Sequence, residues 1–286
     1  MLISEKLKSN RVCTSFEVFP PKNDMPFEPV KNAVCELSAF SPDYISVTYG
    51  AGGGTSKNTP EIVSFIQDEL HIPSVAHLTC ASSTKEEIDV ILNELKSRGI
   101  KNILALRGDI PDGVQPDDNH YRYASELITK IREFDCFSVG AACYPECHTQ
   151  AKNSVEDLMH LKHKVDCGAE YLITQMFFDN SALYSFLYRA LKVGIDVPVV
   201  AGIMPVINRK QIVRSCSLSG ATIPSKFRIM LDRFSDEPES LRQAGIAYAT
   251  EQIIDLISNG VSNIHIYTMN KPEVAGKIIE NLSSIL

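Results

Sequence analysis

The feature that most constrains this chain is the repeated order of a short apolar run followed by a longer segment of helical periodicity. Each run has the length of a strand buried on both faces, which is typical of parallel sheets covered by helices. The predicted strands span residues 13–19, 43–49, 74–80, 102–109, 137–144, 171–178, 197–204 and 264–268. The predicted helices span residues 27–40, 59 onward, 84–98, 123–134, 154–165, 182–193, the mainly helical 208–259 with breaks near Gly220 and Pro224, and 273–286.

About eight such units in 286 residues, with no linker between them, predict an α/β fold, a (β/α)8 TIM barrel that forms one domain over residues 1–286. The alternative is an open doubly wound sheet, but no Gly-x-Gly-x-x-Gly turn joins a strand to a helix. The sequence also indicates where two of the helices begin. Thr59 before Pro60 predicts an N-cap at Thr59, and Ser83 or Thr84, followed by Glu86 and Glu87, predicts another helix start.

Composition narrows the classes of function. A hydrophobic fraction of 44% is ample for a large core, and a formal net charge of −7 gives no basic surface for nucleic acid. The first residues are too charged for a signal peptide, and no window approaches the roughly 18 apolar residues of a membrane span. We therefore expect a soluble cytoplasmic protein that binds no nucleic acid and spans no membrane.

The eight cysteines are scattered along a chain without a secretion signal, which predicts reduced thiols. Cys143, Cys147 and His148 lie close enough in sequence for a metal site to be conceivable. Structural zinc normally uses four ligands, and no second Cys/His pair follows at matching spacing. We therefore expect no metal.

Polar or aromatic residues stand at the last positions of the predicted strands, where a barrel places its active site. They are Glu17, Thr48, Tyr49, His77, Arg107, Gly108, Asp109, Tyr144, Glu146, His148, Gln175 and Tyr267. Because the carboxyl ends of all strands of a barrel meet at one mouth, their coincidence predicts a shared site more strongly than any single member does.

Several of these residues also have a structural interpretation. Glu17 could point outward and pair with a helix cation, whereas a carboxyl group at the mouth among apolar neighbours is suited to general acid catalysis. His77 could be a core histidine that donates to a carbonyl, and Gln175 could hydrogen-bond the backbone. Asp109 could form a structural salt bridge with Arg107.

Eight motifs carry a family resemblance. They are SFEVFPP (15–21), SVTYGA (46–51), HLTC (77–80), LRGD (106–109), YPECH (144–148), ITQMFFD (173–179), GIMPV (202–206) and HIYTMN (265–270). In this order and spacing, over nearly the whole chain, they resemble the methylenetetrahydrofolate reductases of the bacterial type. The resemblance implies a (β/α)8 flavoprotein, which agrees with the fold predicted from periodicity.

The resemblance implies reduction of 5,10-methylenetetrahydrofolate to 5-methyltetrahydrofolate through FAD, which NADH or NADPH reduces first in a ping-pong cycle. Glu17 would be the general acid that protonates a folate nitrogen and helps to open the five-membered ring to an iminium. Asp109, also catalytic, would lie near both flavin and pterin. A carboxylate there favours the cationic iminium and disfavours extra negative charge on the reduced flavin.

By the same resemblance, the FAD contacts would be Thr48, Tyr49, Ala51, His77, Arg107, Gly108, Asp109, Tyr123, Ala124, Tyr144, His148, Ala151, Asp157, His160, His163 and Lys164. The folate contacts would be Glu17, Asp109, Gln175, Gln211 and Lys271, with Gln175 also reaching the nicotinamide. The spacing of Asp157, His160 and Lys164 predicts one helical face that suits pyrophosphate and ribose; the alternative is a solvated face.

Three positions depart from the commoner bacterial pattern. Met176 and Ser215 stand where aromatic residues are usual, and Lys271 replaces an Arg, which removes a bidentate contact to the folate tail. These departures leave the electron donor open. One alternative is a folate reductase that works as a subunit with an iron-sulfur partner; another is a non-catalytic flavin- or pterin-binding barrel. A homo-oligomer is also compatible with the sequence.

Overall fold

The computed structural model describes residues 1–9, 11–21, 25–49, 58–110 and 117–286. Eight parallel strands pair in chain order, and β1 pairs with β8 to close the barrel. The strands are β1 (Cys13–Val18), β2 (Tyr44–Val47), β3 (Ser74–Thr79), β4 (Asn102–Leu106), β5 (Ser138–Cys143), β6 (Tyr171–Thr174), β7 (Val199–Ile203) and β8 (Asn263–Tyr267). The predicted (β/α)8 barrel is confirmed.

The helices lie outside the barrel, except for a short first helix. They are α1 (Ile3–Lys6), α2 (Glu28–Ser38), α3 (Thr59–Asp68), α4 (Lys85–Ser97), α5 (Ala124–Arg132), α6 (Ser154–Asp166), α7 (Asn180–Lys192), α8 (Arg209–Ser219), α9 (Ser225–Arg233), α10 (Pro238–Ser258) and α11 (Pro272–Asn281). The region predicted as mainly helical after residue 208 is thus three helices. Both predicted break positions, Gly220 and Pro224, lie in the connection between α8 and α9, and the break between α9 and α10 was not predicted. No helix in the described ranges is long and apolar enough to cross a membrane.

Apolar side chains form three clusters. The largest lies between the sheet and the outer helices. A second fills the amino-terminal end of the barrel, where Ile3 and Leu7 pack against Tyr44 and Tyr171. A third, which we call the satellite cluster, packs α8, α9 and α10 against the segment after β6; it comprises Met176, Phe178, Val206, Ile212, Cys216, Phe227, Leu231 and Leu241.

The residues at the helix starts confirm one predicted N-cap and show that another prediction is wrong. Thr84 caps α4 by accepting from Glu87 N, and the Glu87 side chain accepts from Thr84 N, as the sequence predicts. The predicted N-cap at Thr59 is wrong, because Thr59 is itself the first helical residue. Its hydroxyl instead donates to the Thr48 carbonyl (3.0 Å) and so ties α3 to the end of β2.

The sixth strand is shorter than predicted. It ends at Thr174, although the apolar run continues to Phe178. Gln175 N still donates to the Cys143 carbonyl of β5 (2.7 Å), but further along the run backbone carbonyls bond to side chains instead of a neighbouring strand. The carbonyl of Phe177 accepts from Gln252 Nε2 (3.0 Å), and that of Phe178 accepts from Tyr248 Oη (2.6 Å). The run is buried as its composition indicates, but against α10 and not in the sheet.

Asn102, at the start of β4, anchors α1 beneath the barrel. Its Oδ1 accepts from Ile3 N (2.8 Å), and its Nδ2 donates to the carbonyls of Ser74 (3.1 Å) and Met1 (3.3 Å). The residue is buried, so that removing the amide would leave buried backbone groups without partners.

We therefore expect Asn102→Ala to lower the free energy of unfolding by about 2–4 kcal/mol, the cost of leaving two buried groups unsatisfied. Asn93→Ala is the matched control, since Asn93 is exposed on α4 and donates only to Asp89 O. It should change stability by less than about 0.5 kcal/mol. Urea unfolding followed by circular dichroism measures both. Equal losses in the two variants would contradict the anchoring role.

Candidate active site

A cavity of about 480 Å³ opens at the carboxyl ends of the strands, a volume typical of small-molecule sites. Most of the predicted mouth residues and several predicted cofactor contacts line it. They are Glu17, Thr48, Tyr49, His77, Arg107, Gly108, Asp109, Ala124, Tyr144, His148, Lys164, Gln175 and Tyr267. Phe19 and Thr174 also contribute to the lining, whereas Glu146, predicted at the mouth, does not. The convergence expected from the strand ends is therefore present in the structure.

Other predicted contacts do not line this cavity. They are Tyr123, Ala151, Asp157, His160, His163, Gln211 and Lys271. The side chains of Tyr123, His160, His163 and Lys271 are exposed to solvent. Ala51 lies outside the described residues.

Glu17 faces the barrel interior because of the alternation along β1. Phe16 and Val18 pack in the core between sheet and helices, so that Ser15 and Glu17 point the other way. Glu17 is only 8% exposed and, among the residues described, has no partner on an outer helix, so the outward-facing alternative is wrong. Its Oε2 lies 3.7 Å from Nε2 of His77 on β3 and 3.7 Å from Nε2 of His265 on β8.

His265 is fully buried and held in one orientation. Its Nδ1 lies 2.7 Å from Ser15 Oγ, which donates to the Ile264 carbonyl at 3.2 Å. Both contacts of the Ser15 hydroxyl fix the orientation of the imidazole ring. The Nε2 side of the ring faces Glu17, with Ser46 Oγ at 3.5 Å.

His77 is also buried, and burial lowers the pKa of its imidazole to about 4. At neutral pH it is therefore uncharged, and its 3.7 Å contact with Glu17 is not an ion pair. Within the described part of the chain, His77 Nε2 has no hydrogen-bond partner. A buried, unpaired ring nitrogen at a cavity wall is a polar group available to a ligand.

Arg107, Gly108 and Asp109 follow β4 at the cavity rim. Arg107 donates to Gln150 Oε1 (2.6 Å) and to the Gly108 carbonyl (3.3 Å), and it forms no salt bridge with Asp109. Gly108 has φ +78°, and a Cβ there would lie 2.8 Å from Thr79 Cβ, so that no side chain fits. Asp109 is exposed and faces the cavity. The predicted alternative of an Arg107–Asp109 salt bridge is therefore not realised.

Residues after β5 form the adjoining wall of the cavity. The rings of Tyr144 and His148 meet edge to face with centroids 4.6 Å apart, and burial raises the pKa of Tyr144 and lowers that of His148. Asp157 Oδ2 accepts from His148 N (3.0 Å), and Lys164 donates to the Ala142 carbonyl (2.6 Å). Asp157 and Lys164 of α6 thus support the strand end and its loop.

The predicted folate contacts are divided in space. Gln175 lines the cavity, and its Oε1 accepts from Met176 N (2.9 Å), so that the expected backbone bond is present. Gln211 instead borders a small recess with Ser215 of α8, next to the ends of β7 and β8. Lys271 is the N-cap residue of α11.

Sequence reasoning gave no site function to His265 and Ser15. Both were detectable, since Ser15 stands two residues before Glu17 and His265 two before Tyr267. In a strand, residues two apart share a face, which places all four side chains inside the barrel. The predicted barrel already implies that β8 lies beside β1; what no pattern in the sequence shows is the register, which pairs Ser15 with His265 and Glu17 with Tyr267.

The part of the chain that the structure describes contains no group of three or more His, Cys, Asp or Glu side chains placed to hold a metal ion. Cys143 is buried and Cys147 half-buried, and both are free thiols.

Solved structures share the fold at low sequence identity. A protein from Clostridium thermocellum, described as binding two copies of 5-methyl-5,6,7,8-tetrahydrofolic acid, aligns with TM-score 0.68 and 17% identity over 100% of this chain and 99% of that one. A 2,3-dimethylmalate lyase aligns with TM-score 0.56 and 11% identity, over 99% of this chain and 85% of that one. At these identities the likeness shows the barrel fold alone.

Sequence comparisons are more specific. The 5,10-methylenetetrahydrofolate reductases of Pectobacterium carotovorum and Escherichia coli are each 36% identical to this chain, over 95% of it and 90% and 91% of their own lengths. A methylenetetrahydrofolate reductase (NADH) of Zea mays is 36% identical, over 99% of this chain and 50% of that protein. The family model described as Methylenetetrahydrofolate reductase matches residues 2–283. The chain therefore belongs to the methylenetetrahydrofolate reductase family.

Proposed function

We propose that this protein reduces 5,10-methylenetetrahydrofolate to 5-methyltetrahydrofolate, with FAD bound in the barrel mouth and electrons supplied by NADH or NADPH. Its bacterial relatives carry the name of this activity, and the plant relative is named for NADH. The observation that carries the proposal is Glu17, buried at the cavity wall beside two imidazoles.

Glu17 is suited to deliver a proton. In the described part of the chain no Lys or Arg lies within 4.0 Å of its carboxyl group, and its neighbours are the neutral His77 ring and Nε2 of His265. A protonated Glu17 would donate its proton to a substrate nitrogen placed at the cavity wall. Protonation of that nitrogen makes it a better leaving group, and the five-membered ring opens to the iminium.

The cavity residues also fit a flavin. Its volume suits an aromatic ring system, and Gly108 allows a ligand to approach the backbone closely. The unpaired Nε2 of His77 offers a polar contact, and Arg107 and Lys164 offer positive charge for phosphate groups. Bound FAD would supply the hydride, while the chain orients the substrate and supplies the proton.

Asp109 would act by charge. Its exposed carboxylate lies at the cavity rim, in the described part free of any salt bridge, so that no neighbouring cation neutralises it. A negative charge there stabilises the cationic iminium form of the substrate. The same charge makes addition of electrons to a nearby flavin less favourable.

The flavin and its electron donor are tested first. The purified protein should be yellow with a flavin spectrum, and under anaerobic conditions NADH or NADPH should bleach it. Methylenetetrahydrofolate should then restore the oxidised spectrum. A flavin that resists both nicotinamides, yet is re-oxidised by the folate after chemical reduction, would contradict the donor and favour a partner subunit. A colourless protein that binds no added FAD would contradict the proposal as a whole.

We expect Glu17→Gln to lower kcat for folate reduction by about 10²–10⁴-fold, the usual contribution of a general acid, without slowing flavin bleaching by its donor. Glu170→Gln is the control, because Glu170 precedes β6 at the opposite end of the barrel and should leave both half-reactions unchanged. Stopped-flow absorbance separates the half-reactions. Loss of both in Glu17→Gln would indicate that Glu17 is structural.

Asp109→Asn should raise the reduction potential of the flavin and slow folate reduction by about tenfold or more. A unit charge near the reacting groups is worth on the order of 1–4 kcal/mol in surroundings between water and protein. Potentiometric titration of the bound flavin and single-turnover folate reduction measure the two effects. An unchanged potential would remove the electrostatic contribution of Asp109.

A further inference from the structure

The segment that follows β5, residues 144–153, has no regular structure but is fixed at several points; we call it the β5 loop. Asp157 of α6 accepts from His148 N, Arg189 of α7 donates to the Pro145 carbonyl (3.1 Å), and Arg107 donates to Gln150. These contacts hold the loop against the helices that follow it and against the rim of β4.

A further contact reaches a distant part of the chain. The carboxylate of Glu146 accepts from Thr222 N (2.9 Å) and, at its other oxygen, from Thr222 Oγ1. Thr222 belongs to the connection between α8 and α9, residues 220–224. Among the residues described, the hydrogen bonds of Thr222 are the only ones involving a side chain that join this connection to an element other than α8, since Ala221 N donates to Ser219 Oγ at the end of that helix (3.3 Å). Glu146 itself does not line the central cavity.

Helix α8 depends on such a contact because little of it is buried. Of its eleven residues, Ile212, Cys216 and Ser219 are buried, and they pack on the satellite cluster rather than on the main core. The helix ends at Gly220, where an added Cβ would lie 3.0 Å from Thr149 Cγ2 of the β5 loop. Elements with few buried contacts unfold locally at the lowest free-energy cost. Each further contact between α8 and the rest of the protein therefore matters for the local stability of this helix.

The charge of Glu146 also reaches the inner side of α8. Burial, and next the negative charge of Glu146, raise the pKa of the Cys216 thiol to about 11. Cys216 stands next to Ser215, which with Gln211 borders the recess at the barrel mouth. The Glu146 carboxylate therefore lies close to the carboxyl-terminal end of α8. The turn of α8 that precedes this end faces the recess.

We propose that Glu146 is a positioning residue that fastens α8, the helix bearing Gln211 and Ser215, to the β5 loop and thereby sets the affinity for the folate substrate. The inference rests on the proposed function, because it takes α8 as a wall of the folate site. Glu146 touches neither the reacting atoms nor the cavity. It acts through the placement of α8, so it should affect substrate binding and leave the proton and hydride steps unchanged.

In the flavin-loaded enzyme we expect the substitution to change KM and to leave kcat nearly unchanged. Glu146→Ala should raise KM for methylenetetrahydrofolate about tenfold, the fold-change expected when a hydrogen bond to a charged group is lost. The kcat value should stay within twofold, and flavin content and anaerobic bleaching by the nicotinamide should match the wild type. Glu146→Gln keeps one acceptor oxygen and should give a smaller rise in KM.

A second measurement follows the helix directly. Hydrogen–deuterium exchange, read by mass spectrometry, should be faster at the amides of residues 209–219 in Glu146→Ala and unchanged in the barrel strands. Thr222→Val removes one of the two donors and should produce the same pattern to a lesser degree. The control is Asp232→Ala, which removes the 2.8 Å contact of Asp232 with Arg209 inside the α8–α9 pair and leaves the β5 loop attachment intact. It should leave KM within twofold.

An unchanged KM in Glu146→Ala, or a fall in kcat at constant KM, would overturn the inference. So would exchange in α8 that is as slow as in the wild type, or an equal rise in KM in Asp232→Ala. A wild-type protein without folate turnover would defeat the proposed function separately, and the exchange measurement would then decide whether Glu146 holds α8. Flavin loss in Glu146→Ala with normal exchange in α8 would also count against the inference.

Discussion

The site depends on one constraint, the alternation of side chains along parallel strands that close into a barrel. Phe16 and Val18 on β1, like Ile264 and Ile266 on β8, must pack outward against the helices. Because side chains alternate along a strand, the side chains between and after these residues point into the barrel interior. Because β1 pairs directly with β8, this brings Glu17 and His265 together although 248 positions separate them in sequence. Burial of ordinary apolar residues therefore positions the polar ones.

The polar interior is balanced without formal charge pairing. A buried carboxylate beside a buried imidazolium would be a buried ion pair, which is costly to desolvate. Here burial holds His77 neutral, and Ser15 occupies the Nδ1 side of His265. Among the residues described, neither a Lys nor an Arg lies within 4.0 Å of the Glu17 carboxyl group. Its close neighbours are two ring nitrogens instead of a fixed cation, which suits the proton-donating role proposed for it.

Much of the fold and part of the site could be predicted from the sequence. Strand and helix order follows from apolar periodicity. Most of the strand-end residues from Glu17 to Gln175 converge because the carboxyl ends of all strands of a barrel meet at one mouth. The end of β6 could not be predicted, since a buried apolar run looks the same whether its carbonyls meet a strand or the side chains of Gln252 and Tyr248. The Glu146–Thr222 contact was equally inaccessible, because it joins two loops, and loop contacts carry no periodic signal.

The residues at the bottom of the cavity, its floor, and the segments around its opening, its rim, differ in how firmly the rest of the protein holds them. The proposed reaction gives a reason for this difference. Glu17, His77 and His265 stand on strands of the closed barrel and are fixed by the main core. The rim is made of loops and of α8, which rests on its own small cluster. The proposed cycle would bring a nicotinamide and then a folate, two ligands of different shape, to this cavity. A rigid floor keeps the proton donor in place for the chemistry, whereas a rim of low local stability can adjust to each ligand at small cost.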